Sequence, residues 1–231
     1  LVDRTPPPMP TPTPSAAAAS PASTRERLLA AAETLFAERG IDAVSLAEIT
    51  KAAGGHNTGA VHHHFGGREE LLAAIVDEHR GHLDARREAL LDDLESQGGV
   101  TPSRLVRSLV LPMIELLDDP RGRAFLSIQA QRALRPRPAG RTPRPVVQRL
   151  LRIEGHPGGR APVGGFLADL GELTAVSALA QRARLEAEQG RDAGIGRDEF
   201  SRQLLAAVTR VVAPGDGPPP DLDDPAPEDR P

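Results

Sequence analysis

The stretch that decides the fold spans residues 45–72 and reads SLAEITKAAGGHNTGAVHHHFGGREELL. It opens with Ser45 and Glu48, whose spacing is that of a capping box and predicts the start of a short helix. The glycine pair at 54–55 ends this helix, and a further short helix can begin with a cap at residue 57 or 58. The pattern predicts two short helices joined by a glycine-containing turn, with a long helix after them.

The residues before this stretch predict one more helix. Ser23 and Glu26 again have capping-box spacing, and Gly40 can end the helix as a left-handed C-terminal residue. The apolar residues between these signals recur at helical spacing, and they are Leu28, Leu29, Ala32, Leu35 and Phe36. The sequence therefore predicts three helices before the long one.

The rest of the chain also has a helical pattern. The long helix carries an apolar stripe that contains Leu72, Ile75, Val76, His79, Leu83, Leu90 and Leu94. Later helices are predicted to begin at Thr101–Pro102 and Asp119–Pro120, where a cap precedes proline, and to cover about 146–153, 166–188 and 200–212. Because no segment alternates apolar and polar residues as a strand does, the predicted fold is all-α.

Composition excludes several classes of protein. The chain has no cysteine, which excludes disulfides, thiolate metal sites and cysteine nucleophiles, and which fits an intracellular protein. It has five Phe and neither Trp nor Tyr, so we expect an aliphatic core, which favours helix packing. No apolar run approaches the roughly 20 residues that cross a bilayer, and the start lacks the pattern of a signal peptide.

The two ends differ from the rest of the chain. Residues 1–22 are rich in Pro, Thr, Ala and Ser, and we expect them, like residues 214–231, to be disordered. The second tail holds six acidic residues and one arginine, so the remainder has a formal charge of +1 although the whole chain has −4. A near-neutral body neither supports nor excludes binding to nucleic acid.

The short helices have the order of a helix-turn-helix, which places its second helix in the major groove of DNA. That helix would begin near Asn57, Thr58, Gly59 and Ala60. These residues combine hydrogen-bonding groups with small side chains that allow close approach to base edges. The helix N-terminus also favours a nearby phosphate.

The motifs resemble those of a known family. The segments 45–49, 52–54, 59–66 and 68–72, with a first helix that ends at Gly40, are similar to the DNA-binding head of TetR-type repressors. The resemblance implies a cytoplasmic, homodimeric, all-α repressor that binds a pseudo-palindromic double-stranded DNA operator and responds to a small-molecule effector. It also implies a DNA-binding domain at 23–70 and a helical ligand-binding and dimerisation domain at 71–213.

The resemblance assigns roles by position. Ser45 and Arg68 would contact phosphates. The base edges would be met by His56, Asn57, Thr58 and Gly59, and the DNA backbone would be faced by His62, His63 and His64. The chain departs from the family in two ways: its turn is one residue longer than the commonest form, and residues 23–67 carry four basic and five acidic side chains. The salt dependence of DNA affinity should therefore be modest.

The candidate sites in the C-terminal domain have simpler interpretations beside them. The predicted effector pocket consists of Met113, Leu117, Phe125, Ile128 and Gln129, which could equally be ordinary core. The predicted dimer interface includes Leu170, Leu173, Leu204 and Val208, for which packing within one chain is the alternative. The arginine-rich segment 132–152 could bind an anion, stay solvated or pair with the acidic tail.

We predict neither an enzyme nor a metal or cofactor site. Consecutive residues of a helix point about 100° apart, so the three adjacent histidines cannot converge on one ion. His79 and His82 could chelate a metal, but His79 shares the apolar stripe, which favours a packed core histidine. Two alternatives stay open: a His-dependent metal hydrolase, and a helical interaction module that does not bind DNA.

Overall fold

The structure is a computed structural model that describes residues 23–55, 57–98, 101–135, 149, 162–191 and 193–213, with the backbone alone for 162–169. The described residues form eight α-helices and contain no strand, which confirms the predicted all-α fold. The helices are α1 Thr24–Arg39, α2 Leu46–Ala52, α3 Gly59–Phe65, α4 Arg68–Gln97, α5 Pro102–Glu115, α6 Pro120–Ala133, α7 Pro162–Gln189 and α8 Arg197–Val212. A 3-10 helix, Leu116–Asp118, joins α5 to α6. Of the helices in these ranges, none is both long and apolar enough to cross a membrane.

Some predictions concern residues outside the described ranges. Both tails, residues 1–22 and 214–231, are among them, and so is His56. The helix predicted at 146–153 is described only at Arg149, which is helical.

Side-chain caps begin the helices where the sequence predicts them. At α2 the N–H of Ser45 donates to Glu48 Oε2 (2.8 Å), and the N–H of Glu48 donates to Ser45 Oγ (3.2 Å). Ser23 and Glu26 make the same reciprocal pair at α1. Each box satisfies donors that the first turn of a helix otherwise leaves unpaired. The other predicted caps are Thr101, before α5, and Asp119, before α6.

Two glycines turn the chain at the ends of the first two helices. Gly40 follows α1 with a φ of 96°, and Gly54 follows α2 with a φ of 76°. Residues with a Cβ rarely adopt such angles, because the side chain collides with the backbone. The predicted helix ends are therefore confirmed for the same reason that the sequence suggested them.

One apolar core extends from α1 through to α8. Phe36 of α1 and Phe125 of α6 are its largest fully buried side chains, and both belong to the same cluster. The apolar stripe of α4 differs from the prediction at one position, since Leu91 is fully buried whereas Leu90 is only partly buried. The reason is helical spacing: from Leu83 the buried line continues through the buried Arg87, four residues on, to Leu91.

A polar cluster, consisting of the buried Glu33 and His79 and the exposed Arg121, joins α1, α4 and α6. Glu33 Oε1 is hydrogen-bonded to His79 Nε2, and Glu33 Oε2 accepts from Arg121 Nε at 2.9 Å. The His79 ring also stacks on Phe125, with ring centroids 4.4 Å apart. His79 is thus a packed core histidine, as predicted. We call this group the Glu33 cluster.

The last two helices pack closely on one another. A Cβ on Gly171 of α7 would lie 2.6 Å from Val212 Cγ1 of α8, so the absence of a side chain permits the contact. Leu204 and Val208 are only 5% and 3% exposed within the single chain, as the alternative of packing within one chain expects. Their four-residue spacing puts both on the face of α8 that meets α7 and α5. Leu173 is half-buried, and Leu170 remains exposed on α7.

Candidate DNA-binding site

The helices α2 and α3 form the two arms of the predicted helix-turn-helix. Ile49 of α2 and Val61 of α3 are both fully buried in the common core, which fixes the two helices against it. The turn between them is tight, because the N–H of Gly55 donates to the Thr50 carbonyl at 2.9 Å. The surface left for a partner begins at Asn57 and ends at His64.

The start of α3 is held by a side chain of its own. Asn57 Oδ1 accepts a hydrogen bond from the N–H of Gly59 at 2.8 Å, while Thr58 makes no side-chain cap. Of the two candidate caps, Asn57 therefore supplies the bond. The amide nitrogen of Asn57 keeps two donors, and the Asn57, Thr58 and Gly59 positions are all exposed. This arrangement offers donors and acceptors at the first turn, where a helix lying in a groove meets base edges.

The three histidines of α3 are exposed, and they make different contacts. Nδ1 of His62 lies 3.0 Å from the carbonyl oxygen of Gly66, so Nδ1 carries the proton and His62 closes the end of the helix. The rings of His63 and His64 meet edge to face, with centroids 5.0 Å apart. In the part of the chain that the structure describes, no three His, Asp or Glu residues are grouped as metal ligands. His63 and His64 are the histidines placed to donate to a phosphate.

Two basic residues near this surface were counted in the charge of the head but not assigned to the site. Arg25, near the start of α1, lies over the ring of Phe65 at the end of α3, with its guanidinium carbon 4.9 Å from the ring centroid. Lys51 is exposed in the last turn of α2. Neither belongs to a local motif, and Arg25 comes near α3 through its contact with Phe65.

The Ser45 hydroxyl is already engaged at the start of α2. It accepts from the N–H of Glu48 and donates to Glu48 Oε2 at 2.8 Å, while Glu48 also pairs with Arg39 at 2.7 Å. The backbone N–H and hydroxyl of Ser45, followed by Arg39, lower the pKa of Glu48 from 4.5 to about 2. A carboxylate therefore stands beside the predicted phosphate contact, and only the exposed Ser45 hydroxyl oxygen faces a partner there.

Arg68 has an internal role in the head. Its Nη1 donates to the Ile41 carbonyl at 2.8 Å and its Nη2 donates to the Val44 carbonyl. The guanidinium also lies over the ring of Phe36, 6.0 Å from its centroid. Arg68 thus ties the first turn of α4 to the chain between α1 and α2, a partnership too distant in sequence for local patterns to reveal.

The residues predicted for an effector pocket lie inside the apolar core. Met113 is 6% exposed, and Leu117, Phe125 and Ile128 are fully buried. Gln129 is half-buried, and its Oε1 accepts from Arg132 Nη1 at 2.7 Å. The structure brings the apolar members together as core and places Gln129 at its edge.

Two described arginines of the segment 132–152, Arg135 and Arg149, pair with acidic residues elsewhere in the fold. Arg149 donates to Asp92 and Glu95 of α4, each at 2.6 Å, and to Glu88. Arg135 pairs with Asp42, between α1 and α2. Among the described residues, Arg149 and Arg135 thus pair with carboxylates of α4 and of the chain between α1 and α2.

The head matches a described family. Residues 28–75 match the model "Bacterial regulatory proteins, tetR family", which covers α2, α3 and most of α1. The helix-turn-helix head is therefore similar to the DNA-binding region of the TetR family. The match contains the turn at Gly54–Gly55, the histidine run and the start of α4, so the predicted resemblance is confirmed.

Named transcriptional regulators are similar to part of the chain. HTH-type transcriptional repressor KstR2 of Mycolicibacterium smegmatis is 34% identical over 76 residues, which are 33% of this chain and 37% of the relative. HTH-type transcriptional regulator TtgR of Pseudomonas putida is 35% identical over 106 residues, 46% of this chain and 48% of the relative. The matches thus span less than half of each relative.

A solved structure extends the comparison along the chain. The TetR-family regulator SCO0857 from Streptomyces coelicolor A3 is 25% identical, with 82% of this chain and 94% of that chain covered at a TM-score of 0.39.

Proposed function

We propose that the protein is a transcriptional repressor that binds a pseudo-palindromic DNA operator as a homodimer and is released by a small-molecule effector. The observation that carries the proposal is the set of exposed residues 57–59 and 62–64 at α3, which lies inside the family-matched region 28–75. A protein that binds an operator works where the DNA is, so we place it in the cytoplasm. As a binding protein it needs no catalytic residue.

We propose that α3 enters the major groove. Asn57, Thr58 and Gly59 would meet base edges, where their amide and hydroxyl groups read donors and acceptors. His63 and His64 would donate to phosphates on one side, with the cations of Arg25 and Lys51 near them. Ser45 would approach a phosphate only beside the Glu48 carboxylate, and Arg68 would act by holding the head together.

We propose that the effector is small and largely apolar. The residues assigned to its pocket, of which Met113 and Phe125 are typical, are buried and apolar, and Gln129 supplies a polar group at their edge. An effector among these side chains would displace α6, because Phe125, Ile128 and Gln129 all belong to that helix. Two heads whose spacing changes would no longer fit successive major grooves.

The test is selection of a binding sequence from random double-stranded DNA, followed by affinity measurements on the selected sequence. We expect the wild-type protein to select a two-fold symmetric site. Asn57→Ala and His63→Ala should each lower the affinity about tenfold, a loss that corresponds to one good base or phosphate contact. Fluorescence anisotropy at fixed salt measures it.

His82→Ala is the matched control, because His82 is an exposed histidine of α4, and its affinity should equal that of the wild type. If the wild-type protein selects no sequence, the repressor proposal is wrong and the helical interaction module takes its place. The observation that favours this second candidate is the slightly negative formal charge of residues 23–67.

A further inference from the structure

Residues 40–45 form the connection between α1 and α2. The position of the helix-turn-helix relative to α1 therefore depends on the conformation of this connection. It starts at Gly40 and ends at Ser45, which caps α2. Ile41 and Val44 are buried in it, with exposures of 1% and 0%. Polar backbone groups beside buried residues need hydrogen-bond partners, and this connection belongs to no helix that could provide them. Its partners therefore come from elsewhere in the fold.

One partner comes from the far end of α6. The side-chain amide of Gln131 accepts from the N–H of Ile41 at 2.8 Å and donates to the carbonyl of Phe36 at 3.1 Å. The two bonds bracket Gly40, whose own N–H also donates to Phe36. Among neutral side chains, a carboxamide of this length has both the donor and the acceptor that such a pair requires. A carboxylate cannot donate, and an ammonium cannot accept.

The other partner is Arg68, which donates to carbonyl groups of the same connection. It donates to the carbonyl of Ile41, so that Ile41 is fixed by Gln131 at its N–H and by Arg68 at its C=O. Arg135, one turn beyond Gln131, adds an ion pair to Asp42. The connection is thus clamped between α4 and α6.

The two sides of the clamp belong to different parts of the molecule. Arg68 lies in the first turn of α4, inside the family-matched head. Gln131 lies in the last turn of α6, a helix that packs against both α1 and α7 and whose buried face includes Phe125 and Ile128. A movement of α6 would therefore shift residues 40–45 directly, through the hydrogen bonds of the Gln131 side chain.

We propose that Gln131 is a positioning residue that sets the orientation of α2 and α3 on the C-terminal helices and so determines how α3 meets DNA. The proposal rests on the DNA-binding function proposed above. Gln131 contacts no DNA, and it acts through the main chain of Ile41 and Phe36. When an effector displaces α6, the pair of hydrogen bonds is lost and the head loses its fixed orientation.

The test compares Gln131→Met, which keeps the length of the side chain and removes both hydrogen bonds, with Gln97→Met as matched control. Gln97, at the end of α4, also makes a side-chain bond, to Arg104 at 2.7 Å, but it is remote in sequence from the connection. Because the chain has no cysteine, the variants Ala47→Cys and Ser103→Cys place spin labels only on α2 and α5. The distance between these two exposed positions reports the orientation of the head.

We expect a narrow distance distribution in the wild type and in Gln97→Met, and a broader or displaced one in Gln131→Met. Labelled chain is diluted with unlabelled chain so that only distances within one chain are measured. At a temperature where all variants are folded, the affinity for the selected operator should fall about tenfold in Gln131→Met and stay unchanged in the control, within the usual range of coupling between sites. The preferred DNA sequence should not change, because the residues at the base edges are intact.

Unchanged distances in Gln131→Met, or unchanged affinity despite altered distances, would overturn the proposal. If Gln131→Met fails to fold, Gln131→Glu replaces it, since it keeps the acceptor for Ile41 and loses only the donor to Phe36. For Gln131→Glu we again expect an altered distance distribution and weaker DNA binding. A wild-type distance distribution together with wild-type affinity would contradict the proposal. If the wild-type protein selects no DNA, the proposed function fails, while the distances still decide whether Gln131 orients the head.

Discussion

Gly122, in the first turn of α6, shows how one position constrains the main chain around it. A Cβ built there would lie 2.3 Å from the Leu116 carbonyl oxygen and 3.0 Å from its carbon. Both are backbone atoms, so they cannot rotate away as the end of a side chain can. The 3-10 helix and α6 can therefore approach this closely only because residue 122 is glycine.

Gly122→Ala should lower the free energy of unfolding by about 2 kcal/mol, the usual cost of forcing extra volume into a packed site. Urea unfolding followed by circular dichroism measures the change. The control is Gly81→Ala in α4, where a Cβ would meet nothing within 4 Å. There the helix propensity of alanine should raise stability by about 0.5–1 kcal/mol. Equal stability of the two variants would contradict the steric explanation.

At the scale of the element, α2 depends on its cap more than a long helix does. It has seven residues, and helices so short do not persist without capping and tertiary contacts. Its capping box uses an ionised Glu48, which binds the N–H of Ser45 and pairs with Arg39. The start of α2 is thus linked to the charge of a single carboxylate.

This link makes the start of α2 sensitive to acid. The pKa of Glu48 is lowered in the folded protein to about 2 from an ordinary 4.5, so the ionised form stabilises the fold fully above the ordinary value. That contribution is lost as the pH falls from about 4.5 toward 2. Hydrogen exchange of the α2 amides should accelerate over this interval beyond the intrinsic effect of pH.

Glu48→Gln is the control for this prediction. Its amide oxygen can still accept from the N–H of Ser45, but it does not titrate. The acid-dependent loss of protection in α2 should therefore disappear in this variant. If wild type and variant respond to acid alike, Glu48 is not the group responsible.

The elements that could be predicted from sequence are those whose determinants are local. The caps at Ser23 and Ser45 and the stop at Gly40 depend on residues within one turn, and the structure confirms all three. The roles of Arg68 and Gln131 could not be predicted, because their partners are main-chain groups 24 to 27 and 90 to 95 residues away. The partner of Leu204 and Val208 could not be predicted either. An apolar helix face has the same sequence pattern whether it packs on another helix of its own chain or on a second chain.

At the scale of the whole molecule, the Glu33 cluster connects the head to the C-terminal helices by buried charge. The Glu33 side chain is 3% exposed and is shared by His79 of α4 and Arg121 of α6. A carboxylate so buried is stable only with such partners. The orientation of α1 therefore depends on two helices outside it.

Glu33→Ala should lower the free energy of unfolding by about 2 kcal/mol, because it leaves the buried ring nitrogen of His79 without its hydrogen-bond partner. Glu38→Ala, at an exposed position of the same helix, should change it by less than about 0.5 kcal/mol. Urea unfolding measured at one pH compares the two. A loss as small for Glu33 as for Glu38 would mean that the cluster does not hold the head.

The shared core and the Glu33 cluster also determine which segments of this chain could be exchanged with those of another protein. A hybrid that joins residues 23–70 to the C-terminal helices of another protein would keep Glu33 and Phe36 but lose Arg121, Phe125 and Gln131, with which they pack or bond. The transplanted segment would then expose a carboxylate and apolar surface that evolved to be covered. The exchangeable unit in this chain is therefore the head together with α4 and α6, although α5 lies between these two helices in the sequence.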